Sequence, residues 1–268
     1  MATRSTASKT KVKYTEEYRP IKTILVSQPK PERSPYYDIE KKYGLTIDWR
    51  SFIHVEGVTE KEFKKNRVRP DEYTSIIFCS KNAIENFFRI CEEMRIKMSP
   101  ETKYFCVTEA IANYLQKFIV YRKRKVFAGK KKLDDLHAYF NKFKATEKFL
   151  LPNSNLGNKD VVGYLDKNKI EFTDVLMYRT LSSDLSDLEN VFYDVLVFFS
   201  PQGIESLYEN FPDFKQNYTR IAVFGQSTLQ AVHDHGIYPN IVAPTPEAPS
   251  MSMALEQYLV KSNTNKGQ

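Results

Sequence analysis

The same strand-to-helix junction occurs twice in this chain, and this duplication restricts the possible folds more than any other feature. The stretches "TSIIFCSKNAIENFF" (74–88) and "DVLVFFSPQGIESLY" (194–208) each join a short apolar run to an amphipathic segment through a serine, Ser80 in one copy and Ser200 in the other. An apolar run of strand length before a helical pattern is typical of a buried strand followed by a helix. The sequence therefore predicts two similar α/β units.

The duplication continues beyond the junction. In each copy a second strand and helix follow, then a short strand and a last helix: "KYFCVTEAIANYLQKF", "KVFAG" and "LDDLHAYFNKF" in one, "RIAVFGQSTLQAVHDHG", "NIVAP" and "SMSMALEQYLV" in the other. Further strand–helix patterns are "KTILVSQ" with "SPYYDIEKKYGL", and "KFLLPNSNLGNKDVVGYLDKNKI". In the first of these, Ser34 is a suitable N-cap, Pro35 suits the first helical position, and Gly44 suits the end. Strands that alternate with helices predict parallel sheets covered on both faces.

The fold class predicted is α/β, with two similar doubly wound parallel-sheet domains joined by a two-stranded linker, one domain being inserted in the other. The expected boundaries are a disordered basic tail at 1–20, a discontinuous domain at 21–47 plus 181–262, linker strands at 48–55 and 173–180, and the inserted domain at 56–172. Two tandem domains joined once are the alternative, which periodicity alone does not reject.

Composition restricts the class of protein. Of the 268 residues 41% are apolar, enough for two cores, and no run approaches the ~18 apolar residues of a membrane span. The N-terminal segment lacks the apolar core of a secretory signal. The cysteines lack paired spacing, so we expect reduced thiols in a cytoplasmic protein, and the histidines lack zinc-ligand spacing, so we expect no metal. These residues are Cys79, Cys91, Cys106, His54, His137, His233 and His235.

The net charge of +7 is densest in "YRKRKVFAGKKK", from Tyr121 to Lys132. A solvated strand edge and loop is the favoured interpretation, because lysines at an edge discourage strand pairing. Attraction of a small polyanion is a second interpretation. Nucleic-acid binding is a third, but the cluster lacks a recognised motif. We therefore expect no nucleic-acid partner and no membrane partner.

The two junctions and a third turn have the residue pattern of anion-binding helix starts. Ser200 suits an N-cap, Pro201 the first helical position, and Gly203 would let a ligand approach the backbone. Ser80 is the equivalent cap, and Gly225-Gln226-Ser227-Thr228 places a glycine and two hydroxyls after another strand. Free N–H groups at such starts favour anions, although ordinary helix capping explains each junction taken alone. No G-x-S-x-G, H-E-x-x-H, G-x-x-x-x-G-K-[ST] or G-x-G-x-x-G motif occurs.

Together these segments resemble the uroporphyrinogen-III synthase family. The resemblance is carried, in order, by "IIFCSKNAIENFF", "MYRT", "LVFFSPQGIESL", "AVFGQSTLQAV" and "APTPEAPSMSMALEQYL", and it extends from Thr23 to Leu259. It implies two α/β domains with an active site in the cleft between them. The implied reaction belongs to heme biosynthesis and uses no cofactor: hydroxymethylbilane, a linear tetrapyrrole rich in carboxylates, is closed to uroporphyrinogen III with inversion of ring D. A two-domain protein of this kind can act as a monomer.

The resemblance also implies site residues. Tyr178, in "MYRT", would position the substrate and hydrogen-bond to the leaving hydroxyl, because a phenol is a weak acid; packing of its ring in a linker strand is the other interpretation. The residues implied to bind substrate are Ser80, Lys81, Ser200, Gln202, Gly203, Gly225, Ser227 and Thr228.

Some positions depart from the family pattern. Gln28 follows the first strand where many members have arginine, and Gln226 replaces a common proline. The inserted domain's counterpart of the glycine–threonine turn begins with Thr108 and Glu109 and continues to Ile111. These changes fall mainly on the inserted domain, so a non-catalytic two-domain binding or regulatory relative is the alternative function.

Overall fold

The chain forms two compact α/β units. The structure is a computed structural model, and it describes residue 16, residues 18–130 and residues 133–264. Unit 1 comprises residues 1–53 and 182–268, and unit 2 comprises residues 54–181. Most of the tail predicted at 1–20 lies outside the described residues, as does Lys132 of the basic cluster.

Strands and helices alternate along nearly the whole chain. The strands are β1 (Thr23–Val26), β2 (Thr46–Trp49), β3 (Ile53–Gly57), β4 (Ser75–Phe78), β5 (Lys103–Cys106), β6 (Val126–Ala128), β7 (Phe149–Ser154), β8 (Phe172–Ser182), β9 (Val195–Phe198), β10 (Arg220–Phe224) and β11 (Pro239–Ala243). The α-helices are α1 (Pro35–Tyr43), α2 (Glu60–Lys64), α3 (Lys81–Glu93), α4 (Glu109–Leu115), α5 (His137–Phe143), α6 (Lys159–Lys167), α7 (Pro201–Asn210), α8 (Gln226–Asp234) and α9 (Met251–Thr264). Among the described residues, no helix is both long enough and apolar enough to cross a bilayer.

Unit 1 has a five-stranded sheet in the order β11-β10-β9-β1-β2, and its ladders are parallel. Alternate residues of β1 enter different cores. Ile24 and Val26 pack with α1 and α9, whereas Leu25 packs with α7 and α8. Both faces of the sheet are therefore covered, which explains why the strands read as continuous apolar runs. Because β1 and β2 share this sheet with β9–β11, two tandem domains do not describe the chain.

Unit 2 repeats this construction. Its sheet has the order β3-β8-β7-β4-β5-β6, with parallel ladders from β8 to β6. Ile76 and Phe78 of β4 pack with α3 and α4, and Ile77 packs with α5 and α6. The prediction of two doubly wound parallel-sheet units is confirmed.

The chain passes between the units within β3 and β8. β8 contains all of the linker segment expected at 173–180, whereas β3 contains only residues 53–55 of the segment expected at 48–55. The two strands are neighbours at one edge of the six-stranded sheet. At the opposite edge of that sheet lies β6, which belongs to the basic segment interpreted as a strand edge and loop.

The predicted cap residues set the bounds of α1. Ser34 is the N-cap and its side chain accepts a hydrogen bond from the amide of Tyr36 at 3.3 Å, while Pro35 occupies the first helical position. Gly44 ends the helix in the left-handed conformation, with φ 62°, which glycine adopts without the Cβ strain of other residues. These cap predictions are confirmed.

Candidate functional site

Each sheet has one topological switch point, where the chain adds later strands on opposite sides of two neighbouring strands. In unit 1 the switch point lies between β9, which is followed outward by β10 and β11, and β1, which is followed outward by β2. In unit 2 it lies between β4 and β7. In open parallel sheets, ligands bind beyond the carboxyl ends of strands at such a switch point. Ser200 lies two residues after the end of β9 and Ser80 two residues after the end of β4, so both lie where each sheet would bind a ligand.

In unit 2 two candidate residues meet. Ser80 is the N-cap of α3, and its hydroxyl accepts a hydrogen bond from the amide of Ala83 at 3.0 Å. The Tyr178 hydroxyl lies 2.9 Å from the same Ser80 oxygen. A serine after β4 and a tyrosine of β8, far apart in sequence, thus form one hydroxyl pair at the carboxyl ends of the strands.

This pair retains one hydrogen for a third group. Two hydroxyls carry two hydrogens, and the bond between Ser80 and Tyr178 uses one of them, whichever group donates. The Ser80 oxygen already accepts from Ala83, so the pair has a donor to offer to a substrate oxygen. Tyr178 itself is only 8% exposed, and its ring belongs to the unit 2 core.

The position of Tyr178 is fixed by an irregularity in the sheet. The register between β7 and β8 shifts between Asn153 and Ser154, and Ser154 then pairs with Tyr178. Asn155 stabilises the shifted segment: its side chain accepts from the amide of Thr180 at 2.8 Å and donates to the carbonyl of Thr180 at 3.3 Å. Such bulges re-aim side chains, and here one precedes the hydroxyl pair.

Two neighbours of the hydroxyl pair complete the unit 2 rim, by which we mean the residues at the carboxyl ends of its strands and the helix starts that follow them. Lys81, the first residue of α3, is exposed, and its Nζ lies 5.3 Å from the ring centroid of Tyr114. Cys79, adjacent to Ser80, has its thiol pKa raised to about 12, first by burial and second by the charge of Asp174. A thiol with that pKa stays protonated at neutral pH and is a poor nucleophile.

In unit 1 the first candidate helix start is that of α7. Ser200 is its N-cap, accepting from the amide of Gly203 at 3.3 Å, and Pro201 occupies the first position, as predicted. Since proline has no N–H, the amide of Gln202 is left as the first-turn donor without a partner inside the helix. That amide could bind a carboxylate.

Gly203, expected to let a ligand approach the backbone, is closely packed on one side. It is buried, and a Cβ there would lie 3.2 Å from Cδ1 of Phe198 and 3.7 Å from Oγ of Ser27. The space on that side of Gly203 is therefore occupied by the chain itself. The hydroxyls of Ser27, which follows β1, and Ser200 both lie within 4 Å of that Cβ position.

The start of α8 is more open. Its N-cap, Gly225, has no side chain to cap the helix and adopts φ 88° and ψ 152°, a region essentially confined to glycine. The first-turn amides of Gln226, Ser227 and Thr228 thus lack a side-chain cap, and Gln226 and Ser227 are exposed. Thr228 is 1% exposed, and its hydroxyl has no hydrogen-bond partner among the described residues. Buried polar atoms are normally satisfied, so the start of α8 combines a buried hydroxyl without a described partner with amides that no side chain caps.

The equivalent helix start of unit 2 is less favourable to an anion. Thr108 caps α4 through a 3.4 Å bond from the amide of Ile111, as Ser80 and Ser200 cap their helices, but Glu109, the first helical residue, adds a negative charge. That charge would repel a carboxylate ligand. Gln28, the other departure, is exposed after β1, and its amide donates to the carbonyl of Val26 at 2.8 Å.

Sequence reasoning missed two residues of these rims. Ser27 has no motif of its own, and only the strand order places it near the start of α7. Asn155 lies in "PNSN", where asparagines are ordinary loop residues; its bonds to β8 depend on the sheet register.

Comparison with known proteins gives consistent results. A crystallised mutant uroporphyrinogen III synthase from Thermus thermophilus is 14% identical and covers 90% of this chain and 99% of its own, with a TM-score of 0.59. Uroporphyrinogen-III synthetase from Helicobacter pylori is 16% identical and covers 90% and 100%, with a TM-score of 0.58. These likenesses concern the two-unit fold. No curated protein sequence matches the chain significantly.

The family model for uroporphyrinogen-III synthase HemD matches residues 40–252, well over half of the chain. That range contains the hydroxyl pair of unit 2 and both helix starts of unit 1. The chain therefore belongs to the uroporphyrinogen-III synthase family.

Proposed function

We infer that this protein is a uroporphyrinogen-III synthase that closes hydroxymethylbilane to uroporphyrinogen III with inversion of ring D. The observation that carries this conclusion is the family match over residues 40–252, which includes Tyr178 and every substrate-binding residue expected from the sequence. The site residues proposed below are supported by the hydrogen bonds and burial of each unit taken by itself.

We propose that the Ser80–Tyr178 pair assists departure of the substrate hydroxyl. The carbon–oxygen bond breaks, and the oxygen leaves as water once it has received a proton. The spare hydrogen of the pair would bond to that oxygen as it takes up charge, and hydrogen bonds to charged groups are stronger than those to neutral ones. The resulting cation is attacked by the substituted carbon of ring D to give a spiro intermediate. Fragmentation and closure then release a ring proton, so the net loss is one water.

The substrate carboxylates would bind the rims. The open start of α8 offers backbone amides of Gln226, Ser227 and Thr228 together with the Thr228 hydroxyl, and α7 offers the amide of Gln202. Lys81 supplies a cation in unit 2. Helix starts of this kind bind anions without a matching set of arginines, and the net charge of +7 would assist capture of a polyanion.

The test is the isomer formed. Purified protein incubated with hydroxymethylbilane should give the type III product. Formation of only the type I isomer, which arises spontaneously, would contradict the proposal. Tyr178→Phe should lower the rate, and Tyr139→Phe, which changes an exposed tyrosine of the same unit, should not.

A non-catalytic binding relative is the second candidate. The capped and negatively charged start of α4 favours it, because the inserted unit has lost one open anion-binding turn. Such a protein would bind the tetrapyrrole with little effect of Tyr178→Phe and would yield no type III isomer. Action as a cytoplasmic monomer remains part of our proposal, and light scattering of the purified protein would test the oligomeric state.

A further inference from the structure

A cavity lies at the amino ends of the unit 2 strands, away from the Ser80 and Tyr178 hydroxyls. It has a volume of about 380 Å³, within the roughly 300–1,000 Å³ of small-molecule sites. Its walls come from α3, the segment before β5, the segment after α4 and the segment before β6. Because these segments precede β5 and β6, the cavity opens at the opposite strand ends from Ser80 and is independent of the proposed reaction.

The cavity is apolar inside. Its walls include Phe88, Cys91, Phe118 and Ile119, and the Phe88 and Phe118 rings stack with centroids 5.1 Å apart. Tyr104, which is 4% exposed, also lines the cavity, and no described residue forms a hydrogen bond with its hydroxyl. The pKa of Tyr104 is raised, mainly by burial and to a smaller extent by the nearby Cys91 thiol. A phenol with this pKa is a neutral donor at physiological pH.

The mouth is cationic. Lys97 is exposed and has no ion pair with a described residue, whereas Lys125 pairs with Glu101 at 2.5 Å and Arg122 lies 3.7 Å from the same carboxylate. Three cations against one carboxylate leave the mouth positive, and the long Arg122–Glu101 contact leaves the guanidinium able to accept another anion. These residues include the start of the basic cluster noted in the sequence.

An apolar interior with a positive mouth specifies the ligand. We propose that this cavity binds a medium-chain fatty acid, with its hydrocarbon chain against Phe88 and Phe118 and its carboxylate at Lys97 and Arg122. Burial of the chain supplies affinity, and the charged contacts select an acid. A soluble acid is favoured over an anionic bilayer for two reasons. The apolar walls are concave and enclose a single chain, whereas a bilayer presents a broad surface. Glu101 also lies among the cations and would be repelled by a negatively charged bilayer.

Calorimetric titration with decanoate, which has a chain and a head group, and with acetate, which has only the head group, tests this site. Decanoate should saturate one site per chain and acetate should not bind. Lys97→Glu should raise the Kd of decanoate at least about tenfold, because the head group would meet a like charge. Lys144→Glu makes the same charge change at an exposed position outside the cavity and should leave the Kd unchanged.

Arg122→Glu is the second variant at the mouth and should weaken decanoate binding similarly. Lys97→Glu should still form the type III isomer, since the cavity lies away from the Ser80 rim. Absence of saturable decanoate binding, or equal Kd values for Lys97→Glu and Lys144→Glu, would overturn the site. So would acetate binding as tightly as decanoate, or sedimentation with phosphatidylglycerol vesicles without binding of monomeric decanoate.

Discussion

Removal of the Tyr178 hydroxyl should slow cyclisation while leaving the fold intact. Tyr178→Phe keeps the ring that packs in the unit 2 core and removes the oxygen 2.9 Å from Ser80. A hydrogen bond to a charged group contributes about 1.5–3 kcal/mol, and each 1.36 kcal/mol is a factor of ten in rate. We therefore expect kcat to fall about 10- to 100-fold, with a stability loss of only about 1 kcal/mol for the neutral hydrogen bond.

Ser80→Ala separates the two roles of the serine. It removes the cap of α3, at about 1 kcal/mol, but leaves the Tyr178 hydroxyl as a less well oriented donor, so kcat should fall less than in Tyr178→Phe. Thr108→Ala is the matched control, because it removes the cap of α4 in the same unit without touching a tyrosine hydroxyl. It should lower stability by a similar amount and leave kcat unchanged.

The double variant tests the coupling. Because we expect Ser80 to act by orienting the Tyr178 hydroxyl, Tyr178→Phe with Ser80→Ala should be little slower than Tyr178→Phe alone, since residues that act as a unit are not additive. Single-turnover conversion of hydroxymethylbilane, with separation of the type I and type III isomers, gives the rates. Multiplication of the two single effects, or a Tyr178→Phe enzyme as fast as the unmodified one, would refute the assignment of Tyr178 as the donor that Ser80 orients.

Three other predictions concern named atoms. Thr228→Val removes a buried hydroxyl without a described partner. Denaturant titration should therefore show equal or greater stability, while KM for hydroxymethylbilane should rise. A loss of stability above about 1 kcal/mol would mean that the hydroxyl is satisfied in the free protein. Gly225→Ala should cost about 1–3 kcal/mol, because φ 88° with ψ 152° is strained for any residue with a Cβ, and an unchanged melting temperature would count against this. Burial alone would raise the pKa of Glu147, but hydrogen bonds from Lys103 and from Thr74 and Ser75 outweigh it and lower the pKa. Glu147→Gln should therefore be less stable than the unmodified protein above about pH 4.3, the ordinary value. The difference should shrink as pH falls through the lowered pKa, and a gap that is constant with pH would contradict the assignment.

Local features of the fold could be predicted because they depend on neighbouring residues. Ser34 and Gly44 bound α1, and Ser80 and Ser200 cap α3 and α7, since cap chemistry acts over three or four positions. The repeated junctions likewise predicted two parallel-sheet units, because buried strands and amphipathic helices carry distinct periodicities.

The long-range part of the site could not be predicted by these rules. The residues of the Ser80–Tyr178 pair are 98 positions apart, and their meeting depends on strand order and on the register shift beside Asn153. The family resemblance pointed to each residue but not to their hydrogen bond. The packing of Gly203 could not be predicted either, because a glycine at a helix start can serve a ligand or a close-packed ring, and only the fold shows the contact with Phe198.

The five strands of the unit 1 sheet follow the same order as the strands from β6 to β8 in unit 2, yet the two sheets are completed at different stages of synthesis. In unit 2 all strands come from one continuous stretch of chain. In unit 1, by contrast, β1 must pair with β9, and residues that meet there are 171 positions apart in the sequence. Contacts of such long sequence separation slow folding, and domains commonly fold as they leave the ribosome. Unit 2 can thus acquire its structure while β1 still lacks β9, and during that interval the edge of β1 that β9 will cover is open to pairing with other chains.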